Sequence, residues 1–280
     1  MVVPMKKLLG LLILVVLACG CITSGTTTST PASPAKETPT VHISGITSEE
    51  ITLAELQSLG GVKFNATLVK STGTKINNTY VGVPLKRVFE KLGIEESRVK
   101  WVRFRAEDGY EITLSMDDLK NAYLCWEENG EPLGPDNGGP IKLVIPDQPG
   151  KLWLKWLSEI KLIGDESAVV VHGKTKVTVV VTREDITELM NSFGMNVTVE
   201  LKGENVTFSG VPLKLLLDKA RPDDDAVNIT FTAKDGYSAT LDFMEVYGND
   251  KAILTPNFRV VIPGEPSRTW VKDLREIVIG

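Results

Sequence analysis

Side chains that bind metals or act as nucleophiles are scarce in this sequence, which has three cysteines and two histidines among 280 residues. Cys19 and Cys21 lie together near the N-terminus, and Cys125 lies alone in the body of the chain. No Cys-x-x-Cys pair is present, so neither a cysteine zinc site nor an intramolecular disulfide is predicted for the folded part. His42 and His172 are far apart in the sequence, which argues against histidine-based zinc or nucleophile chemistry.

Carboxylates offer no better candidate for catalysis. Asp108 and Asp235 each precede a Gly-Tyr pair in the pattern of a hairpin turn, where turn geometry alone accounts for them. Residues 223–225 are three consecutive aspartates, for which we predict a solvated loop. A calcium site is the weaker alternative there, because calcium-binding loops space their ligands along the chain.

Asn-x-Thr sequences are the remaining candidates for chemistry, as acceptors of N-linked sugar in an exported chain. The alternative is chance occurrence in a Thr-rich strand protein. There are five such asparagines: Asn65, Asn77, Asn196, Asn205 and Asn228.

Composition and charge are those of a globular protein with length for about two domains, with 42% hydrophobic and 24% charged residues. The formal net charge is −5, and removal of an N-terminal segment with Lys6 and Lys7 takes it to −7. A mildly acidic chain without a cluster of Lys and Arg is not expected to bind nucleic acid.

The N-terminus predicts export and lipid anchoring. Residues 1–20 read as a signal peptide, because Lys6 and Lys7 precede an apolar run too short to span a bilayer comfortably. The run ends in small residues before Cys21, which we predict to be lipidated as in a bacterial or archaeal lipoprotein. An uncleaved anchor and a plain signal peptide are the alternatives. Residues 21–40, rich in Thr, Ser and Pro, are predicted to tether the protein to the outer face of the cytoplasmic membrane.

One phrase, Gly-Val-Pro-Leu-Lys, occurs at residues 82–86 and again at 210–214. Each copy is followed by a helical stripe of apolar residues at spacings of three and four, and the proline suits a first helical position. Strands are predicted before each copy, at 65–70 and 196–202, with a loop over 71–81 in the first. Thr52 and Glu55 form a capping-box pattern for an earlier helix.

The repeat extends through both halves of the chain, which predicts two domains, at residues 41–164 and 168–280. The separation of matching landmarks falls from 127 residues, at Asp108 and Asp235, to 117, at Ile145 and Ile262. Between these two landmarks the second copy is therefore ten residues shorter. The first copy has a Gly- and Pro-rich stretch in this interval. Trp153 and Trp270 occupy matching positions, where we predict core packing; aromatic binding platforms are the alternative.

Residues 41–164 resemble the molybdopterin-binding oxidoreductase domain, the fold of sulfite oxidase, and residues 168–280 resemble it more faintly as a degenerate second copy. The segments that carry the resemblance occur in the family's order: Ile51–Leu56, Ala66–Val69, Gly82–Leu85, Val102–Tyr110, Asn129–Leu133, Gly138–Pro140 and Lys155–Ile160. The resemblance implies an α+β fold of mixed β-sheets with short helices. It also implies a molybdenum centre wherever the ligands match.

The sequence departs from the family pattern at the positions that would hold this centre. The resemblance places the metal-binding cysteine of catalytic members at Lys70, a usual histidine at Asn137, and a usual Lys-Ser pair at Leu152 and Trp153. A protonated lysine has no lone pair to offer a metal and cannot replace a thiolate. Cys125 falls on an apolar strand, where we predict a buried core residue.

Three functions are compatible with these observations. The first is a non-catalytic ligand- or partner-binding module without a cofactor, in which an anion-binding cleft is formed by Lys70, Asn137, Gly138, Gly139, Lys151 and Lys155. The alternative is a molybdenum cofactor-dependent oxidoreductase, for which the resemblance allows molybdopterin. The third is a spacer, or a subunit docking to a membrane complex. The alternative for each lysine is an ordinary solvated surface charge without a binding role.

Overall fold

Strand hairpins and short helices dominate the fold, and they occur twice in nearly the same order. The computed structural model describes residues 38–146 and 148–280. The predicted signal peptide, Cys21 as the predicted lipidation site and nearly all of the predicted tether lie outside the described residues. None of the described helices is long and apolar enough to cross a membrane.

The first half of the described chain, as we use the term, is residues 40–163. Its strands are β1 (Thr40–Gly45), β2 (Glu49–Thr52), β3 (Val62–Val69), β4 (Lys75–Pro84), β5 (Trp101–Ala106), β6 (Glu111–Ser115), β7 (Tyr123–Glu128), β8 (Glu131–Pro132), β9 (Lys142–Val144) and β10 (Leu157–Ile163). Its helices are α1 (Leu53–Ser58), α2 (Leu85–Lys91) and 3-10 turns at Glu96–Arg98, Met116–Leu119, Pro135–Asn137 and Gly150–Leu152.

The second half is residues 168–279, and a 3-10 turn at Asp165–Ser167 joins it to the first. Its strands are β11 (Ala168–Gly173), β12 (Val179–Thr182), β13 (Met195–Leu201), β14 (Glu204–Pro212), β15 (Asn228–Ala233), β16 (Ser238–Asp242), β17 (Ile253–Leu254), β18 (Val260–Val261) and β19 (Leu274–Ile279). Its helices are α3 (Arg183–Phe193), α4 (Leu213–Ala220), α5 (Phe243–Tyr247) and a 3-10 turn at Ser267–Thr269.

The two halves share their sheet topology. One sheet has the order β2-β1-β10-β5-β6 in the first half, and β12-β11-β19-β15-β16 in the second. The central pair is parallel in each, β1 with β10 and β11 with β19, and the other neighbours are antiparallel. The other sheet is β3-β4-β7-β8, with β9 also on β7, against β13-β14-β17-β18. The predicted mixed sheets with short helices are confirmed.

Alternation of apolar residues places the core between sheet and helices in each half. In β5, Val102, Phe104 and Ala106 are buried while the intervening residues are more exposed, which is the period of a strand with one buried face. Gly45 ends β1 at φ +98°, where a Cβ would overlap the carbonyl oxygen of Leu162 on β10. Only glycine allows this close approach of the two parallel strands.

The junction between the halves combines an apolar cluster with an ion pair. Ile163, Ala168 and Val180 are buried together, with Trp101 packed against them. Beside them Arg103 on β5 holds the carboxylate of Asp185 in the first turn of α3 through two hydrogen bonds of 2.7 and 2.8 Å. Residues 38–280 accordingly form one compact unit.

Two local predictions are corrected by the structure. The predicted loop over 71–81 is wrong, because residues 75–84 form β4 and pair with β3. Polar residues conceal this strand, since its exposed face is held by cross-strand hydrogen bonds such as Thr67 to Asn77 at 2.7 Å. Pro84 is the residue before the helix rather than its first residue. The capping box of Thr52 and Glu55 is confirmed.

Candidate functional site

Lys70 lies at the tip of the β3–β4 hairpin. Its N–H donates to the carbonyl of Thr74, and its carbonyl accepts from the N–H of Gly73, each at 2.9 Å. These bonds close a short turn and leave the lysine side chain exposed. The position that the family resemblance assigns to a metal-binding cysteine is therefore an exposed ammonium on a tight turn.

The Gly138 segment packs against Lys155 rather than around an open space. A Cβ on Gly138, which has φ +94°, would lie 2.7 Å from Cγ of Lys155. The N–H of Gly139 donates to the carbonyl of Gly134 at 2.8 Å, so it is not free to bind an anion. The side-chain oxygen of Asn137 accepts from the N–H of Gly134, which holds it in the same turn.

Lys151 lies instead beside the end of β3. A Cβ on the preceding Gly150 would lie 2.5 Å from Leu68 and 2.9 Å from the carbonyl oxygen of Val69, next to Lys70. The Lys151 carbonyl accepts from the hydroxyl of Tyr110 at 3.3 Å, and its side chain is exposed.

The six predicted cleft residues thus fall into two groups, one around Gly138 and Lys155 and the other at Lys70 and Lys151. Within residues 38–146 and 148–280, no hydrogen bond or ion pair joins one group to the other. The ammonium of Lys155 lies over the ring of Trp156 at 5.6 Å. Lys70, Lys151 and Lys155 are all exposed, as expected for solvated surface charges.

A buried polar cluster near the same sheet was not predicted from the sequence. The hydroxyl of Tyr80 donates to one carboxylate oxygen of Glu128 at 2.8 Å, and the ammonium of Lys142 donates to the other at 3.0 Å. The amide of Asn78 also donates to Glu128. Burial raises the pKa of the Tyr80 hydroxyl well above its ordinary value, so it remains a donor at neutral pH.

Cys125 is fully buried on β7, opposite Gly82 of the neighbouring strand β4, and its burial was predicted. A Cβ on Gly82 would lie 2.7 Å from its sulfur, and the side chain is 0% exposed. Burial raises the pKa of this thiol well above its ordinary value, because a thiolate would lose its hydration. Cys125 is therefore neither charged nor accessible to a metal.

The structure also shows where the two matching tryptophans, the sequon asparagines and the aspartate loop lie. Trp153 and Trp270 are both 6% exposed and pack in the two cores, as predicted. Among the sequon asparagines, four are exposed on the β3–β4 and β13–β14 hairpins, whereas Asn228 is half-buried against Gly280. In the aspartate loop, Asp223 and Asp225 pair with Lys176 and Lys174. In the part of the chain that the structure describes, no three His, Cys, Asp or Glu side chains are placed so that they could hold a metal ion together.

Comparison with known proteins identifies the family. The model of the oxidoreductase molybdopterin binding domain matches residues 28–171, just over half of the chain. The chain belongs to this family, and the match is a single copy that ends near the start of the second half.

The alignments with curated relatives span less than half of each relative's own length. It is 31% identical over 98 residues to the NADPH nitrate reductase of Phytophthora infestans, which covers 32% of this chain and 11% of the relative. It is 32% identical over 90 residues to the uncharacterized oxidoreductase YuiH of Bacillus subtilis, covering 31% and 45%. Among solved structures, the sulfane dehydrogenase SoxCD of Paracoccus pantotrophus aligns with 74% of this chain and 64% of its own, at 13% identity and a TM-score of 0.42.

The residues present do not fit a thiolate-ligated molybdenum centre. Lys70 offers a cation where the metal needs a soft anionic ligand, and Cys125 is the one thiol in the described part of the chain. Its sulfur lies inside the core and cannot reach a ligand without unfolding the sheet around it.

Proposed function

We propose that this chain is an exported, membrane-tethered protein that uses the molybdopterin-binding fold as a non-catalytic module for a ligand or a protein partner. The observation that carries the proposal is the exposed Lys70 at the hairpin tip, together with the burial of Cys125. A metal site without its soft protein ligand binds and tunes the metal poorly. Function depends on the site more than on the fold.

Cys21 carries the lipid, and residues 21–40 hold the folded part away from the outer face of the membrane. Residues 168–280 are a degenerate copy of the family domain, and the strand order that they share with the first half supports this assignment. Lys70 and Lys151, which form one of the two groups, provide the positive surface of the first half for an anionic group.

The second candidate is a molybdenum cofactor-dependent oxidoreductase, and the comparisons favour it. The family model is that of an oxidoreductase domain, and the relatives include nitrate reductases and an uncharacterized oxidoreductase. In this case the organic part of the cofactor would be held without a protein thiolate.

Metal and pterin analysis of the full chain, produced in a host that makes the cofactor, separates the two candidates. We expect far less than one molybdenum per chain by mass spectrometry, and no pterin fluorescence after oxidation. Stoichiometric molybdenum would overturn the non-catalytic proposal.

A variant pair tests the assignment of Lys70 itself. Lys70→Cys restores a thiol at the tip of the hairpin and should raise molybdenum loading above that of the wild type. Lys75→Cys, on a second exposed lysine of the same hairpin, is the matched control and should not raise the loading. Equal loading of the two variants would show that Lys70 does not mark the metal position.

A further inference from the structure

The second half contains an open cavity of about 1420 Å³, large enough for a small organic ligand. It lies between the β13–β14 hairpin, the turn after β15 and the segment before β19. Its apolar wall includes Leu201, Val206 and Trp270, and Arg259 and Lys272 contribute positive charge.

This cavity occurs because a segment of the first half has no counterpart in the second. Cys125 and Lys142 are cross-strand partners in the first half, and Thr255 and Arg259 are the matching partners in the second half. Sixteen residues lie between Cys125 and Lys142, but only three lie between Thr255 and Arg259. The second half therefore lacks thirteen residues at this point, whereas the sequence comparison between Asp108 and Ile145 gave a net shortening of ten. Three extra residues around α5 account for the difference.

The missing segment is the one that covers the corresponding surface of the first half. There the carbonyl of Gly138 accepts from the N–H of Trp156 at 2.8 Å, and Gly138 itself packs on Lys155. Gly138 thus covers Trp156 and Lys155. Their equivalents in the second half are Asp273 and Lys272, and both line the cavity.

Loss of the segment also removes the acid that neutralises a buried cation. In the first half Lys142 pairs with Glu128, which lies within the segment, beside the Tyr80 hydroxyl. The second half keeps a cation, Arg259, in place of Lys142, and has Phe208 in place of Tyr80.

Arg259 has no substitute for that acid. Its guanidinium lies over the ring of Phe208 at 4.9 Å, and its Nε is buried without a hydrogen-bond partner. Among the described residues its side chain makes no ion pair. Burial lowers the pKa of the guanidinium from its ordinary value, although arginine stays charged at neutral pH. A half-buried cation of this kind is stabilised by any anion that can reach its terminal N–H groups.

We propose that this cavity binds an organic carboxylate, whose carboxylate group pairs with Arg259 and whose apolar body lies against Val206 and Trp270. The first half shows the chemistry, since there the equivalent cation takes a carboxylate. The cavity side chains include five carboxylates and four basic groups, so a dianion such as phosphate is repelled more than a monoanion. This site lies outside the matched residues 28–171, and it is independent of any molybdenum chemistry.

Calorimetric titration of the full chain tests the proposal with three monocarboxylates: phenylacetate, indole-3-acetate and hexanoate. Phenylacetamide, which has the same shape as phenylacetate without the charge, is the neutral control, and inorganic phosphate is the dianion control. We expect at least one carboxylate to bind with a Kd below about 1 mM. We expect phenylacetamide and phosphate to bind at least about tenfold more weakly than that carboxylate.

Two variants assign the binding to the guanidinium. Arg259→Gln should weaken carboxylate binding about tenfold or more, whereas Lys251→Gln, at an exposed lysine outside the cavity, should not. Val206→Glu supplies an internal carboxylate beside Phe208 and should abolish binding while raising thermal stability. This second variant remains informative even if Arg259→Gln fails to fold.

The proposal is overturned if no carboxylate of the panel binds at about 5 mM. It is equally overturned if folded Arg259→Gln binds like Lys251→Gln, or if the amide binds like the acid. None of these results bears on the molybdenum content of the protein, so the two proposals stand or fall separately.

Discussion

The ion pair between Arg103 and Asp185 should couple the stability of the two halves. Arg103 donates to both carboxylate oxygens of Asp185 and, at 2.8 Å, to the carbonyl of Val180. The side chains are only 12% and 21% exposed, so each charge is largely removed from water and depends on the other. Asp185→Asn removes the negative charge but leaves an oxygen that can still accept from the N–H of Thr182 and cap α3.

The expected cost follows from this burial. Removing one partner of a buried pair costs about 3–5 kcal/mol, because the other charge stays buried without compensation. Because the pair keeps some exposure to water, its cost should lie near the lower end of that range. We expect Asp185→Asn to lower the free energy of unfolding by about 3 kcal/mol. Arg103→Met in the same background should cost much less than it does alone. The coupling energy of the double-mutant cycle should reach about 2 kcal/mol.

The same pair predicts a dependence on pH. Burial alone would raise the pKa of Asp185, but the hydrogen bonds and charge of Arg103 outweigh it and hold this pKa below its ordinary value. A carboxyl with a lowered folded-state pKa stabilises the protein above its unfolded-state pKa of about 3.9, and this stabilisation is lost as the pH falls further. Wild-type stability should therefore fall below about pH 4 more steeply than that of Asp185→Asn.

Urea denaturation between about pH 3 and pH 7 measures both effects through the unfolding free energy. The reasoning would be refuted by a coupling energy under about 0.5 kcal/mol, the level of an exposed pair. Parallel pH profiles for wild type and Asp185→Asn would refute the linkage argument alone.

Three further predictions concern the first half. Glu128→Gln should lower the unfolding free energy by about 3 kcal/mol, because Lys142 would be left as a buried, uncompensated cation; a change below about 1 kcal/mol in urea titration would contradict this. The thiol of Cys125 should not react with a thiol-specific chromogenic reagent until the protein is unfolded in urea, since it is buried and its pKa is raised; rapid native labelling would contradict this. Gly45→Ala should lower the unfolding free energy by more than about 2 kcal/mol, because the new methyl group overlaps the carbonyl of Leu162; an unchanged thermal midpoint would contradict this.

Much of the secondary structure could be predicted because its signals are local. Apolar alternation in β5 and the Thr52 capping box each lie within a few residues of sequence, and both are present in the structure. Strand β4 was missed because cross-strand hydrogen bonds between polar side chains, rather than apolar alternation, hold its exposed face. No pattern within the strand itself carries that information.

The candidate site was only partly predictable for a related reason. The exposure of Lys70, Lys151 and Lys155 follows from residue type, and the structure agrees. The occupied N–H of Gly139 and the separation into two groups depend on how the Gly/Pro segment folds back on itself. That folding is set by contacts with Lys155 and Trp156, which are distant in sequence.

The sequence by itself determined the internal repeat, the family, the buried thiol and the lysine at the metal-ligand position, because each depends on residue identity and order. Only the tertiary structure decided which buried charges have partners. Glu128 and Lys142 meet because β7 lies between β4 and β9, and Arg259 is left alone because the corresponding segment is absent. Electrostatic pairing depends on distance in space, and strands that are adjacent in the sheet need not be adjacent in the chain.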